Sequence, residues 1–233
     1  MAMDPDISKC AVDLRKGVDS AFESFRTFCM KALDPKNVTE ENSKFCQVVL
    51  ALCTAAESNY EKLRESYDKA DYVTLALSCR NLLEVAIFTH FVLQCKANAD
   101  EFAADRLIDT ADIAKSLKIL VSQLKPPGET LDLDKVIQLC LRQIAEEGVN
   151  RDKYLRTSQL ATKLNMRSEY DSINTLCSKF VHPTSWSLFN LSEVSTQFPI
   201  ARELLFSEGA KYLAMVYAEV RPHIKKYGLR HNA

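Results

Sequence analysis

Apolar residues recur every three or four positions along most of this chain, the spacing that places them on one face of an α-helix. The pattern is clear in five stretches: residues 7–33, 39–67, 100–124, 133–147 and 168–181. A last stretch, 199–221, begins at a proline, which suits the first turn of a helix, and Pro222 is expected to stop or kink it. Long helices joined by short links predict an antiparallel bundle.

Residues 72–95 differ because apolar side chains occupy almost every face of the predicted helix. A helix that is apolar all round is normally buried all round, so this stretch is predicted to be the central helix. The patterns predict an all-α fold, a single domain over residues 1–233 with roughly six to seven helices. Residues 1–5 are expected to be disordered or an artificial extension, and residues 225–233 to form a basic tail.

Composition supports long helices and excludes some kinds of partner. The 5 glycines and 7 prolines are too few for the frequent turns of an all-β fold. The chain has 30 basic and 31 acidic residues, so a broad electrostatic grip on nucleic acid or an anionic membrane is not expected. A local basic patch remains compatible with this balance, and there is no DNA-binding motif.

The eight cysteines are scattered through apolar helical faces and include no C-x-x-C pair. They are therefore interpreted as free thiols in a reducing cytoplasm, and neither a metal nor a cofactor is predicted. No signal-peptide pattern opens the chain, and the most apolar stretch, 85–93, is too short to span a membrane. The predicted localisation is cytoplasmic.

Two polar groups stand out against this apolar background. Arg80 and Glu84 lie one turn apart inside the central helix, and a charge buried alone there would cost several kcal/mol or so. They must pair with each other, with another helix or with a ligand. A buried ion pair that fixes helix register and an anion-binding site are both open interpretations.

Ser178 and His182, also one turn apart, close the helix that ends before Pro183. The histidine could donate to a phosphate or transfer a proton near neutral pH, or it could simply cap its own helix. A serine nucleophile has less support, because no Gly-x-Ser-x-Gly elbow and no orienting acid is present.

The stretch Arg80-Asn81-Leu82-Leu83-Glu84, followed by Tyr170 and by Ser178-Lys179-Phe180-Val181-His182-Pro183, resembles a family of uncharacterised bacterial helical proteins. That family is similar in turn to the HEPN domains, many of which are ribonucleases or partners in toxin and phage-defence systems. The resemblance implies a homodimer and a cleft for a nucleotide or RNA that is formed by Arg80, Glu84 and His182.

The resemblance also implies roles for individual residues. The candidate catalytic group is Arg80, Glu84 and His182. Arg80 would bind an anion, Glu84 would orient Arg80 or His182, and His182 would be the hydrogen-bond donor or proton-transfer group. Ser178, Tyr170 and Lys179 are candidate ligand-binding residues. Catalytic HEPN domains carry an arginine where this chain has Cys177, so metal-independent RNA cleavage is left open. A non-catalytic protein-interaction or structural domain is the alternative.

Overall fold

The computed structural model describes residues 16–27, 42–124, 132–148, 155–182 and 199–227. These residues form eight helices and no strand, which confirms the predicted all-α fold. The helices are α1 (16–27), α2 (Ser43–Lys69), α3 (Tyr72–Gln94), α4 (Lys96–Leu124), α5 (Leu133–Glu146), α6 (Thr157–Lys163), α7 (Arg167–Val181) and α8 (Pro199–Tyr227).

Helix α3 lies at the centre, in contact with α2, α4, α6, α7 and α8. Leu75, Cys79, Leu82, Leu83 and Ile87 have no exposed surface at all, as expected for a helix that is apolar on nearly every face. Within the described ranges α3 alone is long and apolar enough to cross a membrane, but 61% of that window is buried inside the protein. Such burial is typical of the core helix of a soluble protein, and the cytoplasmic localisation stays a prediction.

Two helices, α2 and α8, set the directions of the bundle around α3. Helix α2 pairs with it as a tight hairpin, whose link includes Ala70 in the left-handed conformation at φ 53°. Helix α8 runs parallel to α3, because Glu203 lies near Tyr72 at one end and Glu219 contacts His90 at the other. The buried Gly209 allows α8 to approach α2 closely, since a Cβ there would lie 2.7 Å from Leu63 Cδ2.

Helices α4 and α5 form a second hairpin with a small core of its own, made of Leu107, Ile108 and Ile144. The outer part of α4 beyond this core keeps Ile113 and Leu120 more than half exposed.

The structure corrects several predicted helix ends. Helix α4 begins at Lys96 instead of after a cap at Asp100, and α7 begins at Arg167 instead of after a cap at Ser168. Helix α8 continues through Pro222 to Tyr227, so the first residues of the predicted tail are helical. The buried Val220 shows that core packing persists to the turn before this proline. Residues 1–5, Thr39 and residues 228–233 lie outside the described ranges.

Asp71 starts the central helix, since its Oδ1 accepts a hydrogen bond of 3.1 Å from the backbone N–H of Thr74. The Thr74 hydroxyl and then this N–H hold the pKa of Asp71 below its usual value. We expect Asp71→Ala to lower the free energy of unfolding by about 1 kcal/mol at neutral pH, the usual value of such a cap.

The contribution of the Asp71 charge to the free energy of unfolding depends on pH. Because the pKa of Asp71 is lowered on folding, its stabilisation is present above the ordinary aspartate pKa and is lost as pH falls through the folded value. Asp71→Asn keeps an acceptor but cannot titrate, so it is the matched control. Urea unfolding of the three proteins at neutral and acid pH measures this, and a pH-independent gap between wild type and Asp71→Ala would contradict it.

Candidate functional site

The first predicted group lies where α7 crosses α3. Arg80 Nε donates to Glu84 Oε1 at 3.1 Å, and the two side chains keep 29% and 27% of their surface exposed. Tyr170 of α7 lies near both charges. Burial and then the Glu84 charge raise the pKa of its hydroxyl, and the Arg80 charge partly offsets this rise. The structure therefore brings three of the six predicted site residues together, around an ion pair that is only partly buried.

The structure places His182 and Ser178 at the other end of α7. This helix runs antiparallel to α3, since Tyr170 lies near Glu84 while the Phe180 ring stacks on Tyr72 at 6.0 Å. Tyr72 is eight residues from Arg80, or about 12 Å along the helix. His182 follows this ring stack, so its backbone position is level with the start of α3 and not with the ion pair.

Local hydrogen bonds explain much of the geometry at this end. Ser178 Oγ donates to the carbonyl of Thr175 at 2.9 Å, and the backbone N–H of His182 donates to the carbonyl of Ser178 at 3.1 Å. The serine hydroxyl is thus bonded to its own helix, which does not prepare it as a nucleophile. Lys179 is exposed in the last turn of α7.

Cys177, where the resemblance to HEPN domains would require an arginine, is fully buried and lies against Cys79 of α3. Contact with the Cys177 thiol and burial raise the pKa of Cys79. An arginine at this position would have to place its charge in the apolar core, which is costly. The site therefore has no cation at this position.

A large cleft opens beside Glu84, where α2, α3, α4 and the start of α6 meet. Its volume is about 1100 Å³, and we call it the α2–α4 cleft. Glu84 and Phe88 of α3 form one wall, and Phe88 packs against Phe102 of α4 with ring centroids 5.1 Å apart. Arg80 and His182 are not among the residues that line it.

Charged side chains of both signs line this cleft. The acidic residues are Glu84, Asp105, Asp109 and Glu147, and the basic residues are Lys44, Arg106 and Arg156. Lys44 is shared between Asp100 at 3.6 Å and Glu147 at 3.8 Å. By contrast, the guanidinium groups of Arg106 and Arg156 form no hydrogen bond or ion pair with any residue in the described ranges, which leaves two cations available to a ligand.

Asp105 joins the two sides of the α2–α4 cleft. Its Oδ2 accepts a hydrogen bond of 3.0 Å from the backbone N–H of Leu155, and this bond fixes the residues that lead into α6. Burial raises the pKa of Asp105, and the Leu155 N–H partly offsets that shift. The bond fixes the backbone next to Arg156, whose exposed side chain also lines the cleft. Across the part of the chain that the structure describes, no three His, Cys, Asp or Glu side chains are grouped as a metal site requires.

The model of DUF5677, described as a family of unknown function, matches residues 47–197. The chain belongs to this family. The match includes α3, α7 and most of the α2–α4 cleft, but it ends before α8. No curated protein and no solved structure matches the chain. Membership of DUF5677 thus agrees with the predicted uncharacterised helical family and assigns no activity to it.

Sequence reasoning missed a second polar cluster, at the start of α8. Glu203 is 3% exposed, accepts a hydrogen bond of 2.6 Å from the Tyr67 hydroxyl, and takes two more from Arg202 at 3.1 and 3.2 Å. The Arg202 guanidinium also lies over the Tyr67 ring at 4.7 Å. A signal was present, because Glu203 occupies a core-facing position three residues before the buried Phe206.

Because the two ion pairs differ in burial, we expect removal of the arginine to lower the free energy of unfolding by different amounts. Arg202→Met leaves a buried carboxylate with Tyr67 alone, and we expect it to lower the free energy of unfolding by about 3 kcal/mol. Arg80→Met leaves Glu84 with access to water, and we expect a loss below about 1 kcal/mol. Urea unfolding of both variants measures the difference, and similar losses would show that exposure does not decide the cost.

Proposed function

We propose that this member of DUF5677 is an HEPN-like helical module that binds a nucleotide or a short stretch of RNA in the α2–α4 cleft. The observation that carries the proposal is that two unpaired guanidinium groups, those of Arg106 and Arg156, line the same cleft as the Phe88–Phe102 ring pair. Arginine binds phosphate oxygens through two parallel N–H donors, and aromatic rings stack on nucleobases. The α2–α4 cleft therefore offers both phosphate binding and base stacking in one concave site.

The dimensions and charge of the α2–α4 cleft support this assignment. Its volume of about 1100 Å³ slightly exceeds the usual range of small-molecule sites, about 300–1,000 Å³, so it has room for a nucleotide. The net charge of −1 gives the protein no general attraction for polyanions, so recognition has to come from local cations and from contacts with the base.

The proposed role is binding without cleavage. Cys177 is buried against Cys79 where catalytic HEPN domains carry an arginine, and Ser178 is bonded to its own helix. The backbone of His182 lies level with the start of α3, at a distance from the cleft wall at Glu84. A general acid or base acts only within hydrogen-bond reach of the reacting group.

A protein-interaction role is the second candidate, and an exposed apolar stripe on α4 favours it. Ile113, Leu117 and Leu120 share one helix face and are 61%, 45% and 54% exposed. The stripe is continuous with the α2–α4 cleft, which also includes Ile113. A second copy of the chain is the occupant that the predicted homodimer implies.

Removing either free guanidinium tests the binding proposal. Arg106→Gln and Arg156→Gln are each expected to weaken binding of guanosine and adenosine monophosphates by about tenfold or more, since a charged hydrogen bond contributes about 1.5–3 kcal/mol. Isothermal titration calorimetry measures this, together with a short single-stranded RNA.

The matched control is Arg142→Gln, which removes the same charge from an exposed position of α5 that does not line the cleft. Its affinity is expected to equal that of the wild type. Absence of binding to every nucleotide and to RNA would overturn the proposal, and so would an equal loss in the Arg142 variant, because the effect would then be general electrostatics.

Replacing one residue of the apolar stripe tests the second candidate. If this face joins two copies, Leu117→Glu is expected to shift a dimer to monomer in analytical ultracentrifugation, because a buried unpaired carboxylate is costly. Lys163→Glu, at an exposed position on α6, is the control and leaves assembly unchanged. A monomeric wild type, or a dimer that survives Leu117→Glu, would argue against this interface.

A further inference from the structure

Glu84 both forms an ion pair with Arg80 and lines the α2–α4 cleft. Its Oε1 accepts from Arg80 Nε at 3.1 Å on α3, and its side chain also lines the α2–α4 cleft. Phe88 follows one turn later on the same helix face and lines the same cleft. A carboxylate and an aromatic ring therefore stand side by side on one wall.

This juxtaposition matches the two contacts by which proteins read an unpaired base, which are stacking on a ring and hydrogen bonding to the base edge. A base that stacks on Phe88 would direct one edge towards Glu84. A carboxylate accepts hydrogen bonds and donates none, so it favours a base edge that carries N–H donors. Arg80 occupies one lone pair of Oε1, which leaves Oε2 and the remaining lone pair of Oε1 for the ligand.

We infer that Glu84 selects the base in this cleft and that it favours guanine, whose edge presents two adjacent N–H donors. The inference rests on the proposed function and adds a specificity to it. Guanine offers its ring N1–H and its 2-amino group to the two carboxylate oxygens. Adenine presents an unprotonated ring nitrogen beside its amino group, and that nitrogen would face a carboxylate oxygen with no proton between them.

The other carboxylates of the cleft are less suited to this role. Asp105 already accepts from the Leu155 N–H at 3.0 Å, and Glu147 lies 3.8 Å from Lys44. Asp109 is exposed and belongs to α4, not to the helix that carries Phe88. Glu84 alone among the four lies on the same helix as Phe88, one turn from it.

Comparing the affinities of three ribonucleotides tests the individual hydrogen bonds to the base edge without changing the protein. Guanosine monophosphate is expected to bind most tightly, inosine monophosphate about tenfold more weakly because it lacks the 2-amino group, and adenosine monophosphate more weakly still. Isothermal titration calorimetry on the full chain gives the three dissociation constants. The wild type alone therefore tests the inference, even if a variant fails to fold.

Glu84→Gln is the decisive variant, because a glutamine amide presents one donor and one acceptor, the complement of the adenine edge. We expect the ratio of adenosine to guanosine affinity to invert in this variant. Glu147→Gln makes the same chemical change elsewhere in the cleft and is expected to leave the ratio unchanged. Circular dichroism and thermal unfolding establish that both variants are folded.

The outcomes separate this inference from the proposed function. If guanosine and adenosine monophosphates bind equally, with affinities that fall in Arg106→Gln, the binding function stands and the role of Glu84 is overturned. An unchanged preference in Glu84→Gln likewise overturns it. If no nucleotide binds the wild type at all, both the proposed function and this inference fail.

Discussion

The burial of α3 on nearly every face is the constraint on which the rest of the structure depends. Four long or medium helices, α2, α4, α7 and α8, pack around it, and much of its surface has no access to water. A polar side chain on α3 is therefore costly unless it finds a partner or reaches a surface. Asn81 donates to Asn59 of α2 at 3.1 Å, and His90 contacts Glu219 of α8 at 2.7 Å, so these contacts also set the register of the neighbouring helices.

The same constraint explains why the candidate site lies on one side of the central helix. Helix α8 covers one side of α3 and runs parallel to it. Helix α7 packs on a different side of α3 and runs antiparallel to it. Helix α4 turns away after Cys95 to pair with α5, which leaves the space between α2, α3 and α4 open. Glu84 borders this space, so the same carboxylate that pairs with Arg80 also faces the cleft.

The two ion-pair clusters differ because their surroundings differ. Arg80 and Glu84 remain more than a quarter exposed, so water shares in their solvation and the pair remains available to a ligand. Glu203 is almost fully buried and relies on Tyr67 and Arg202 for all its hydrogen bonds in the described structure. A buried network of this kind tends to fix one arrangement of helices, here the junction of α2 with α8.

Hydrophobic periodicity by itself determined the all-α fold, the approximate bounds of α3, α5 and α7, and the central place of α3, because these depend on which residues along one helix are apolar. It did not locate the end of α8, where buried Val220 shows that core packing continues up to Pro222. The sequence also identified Arg80, Glu84 and Tyr170 as candidate site residues, and the structure places them close together. Only the tertiary structure decided that His182 lies with the start of α3, that Arg106 and Arg156 meet at one cleft, and that Glu203 needs Tyr67. Those facts depend on the direction and register of helices distant in sequence, and local spacing carries no information about either.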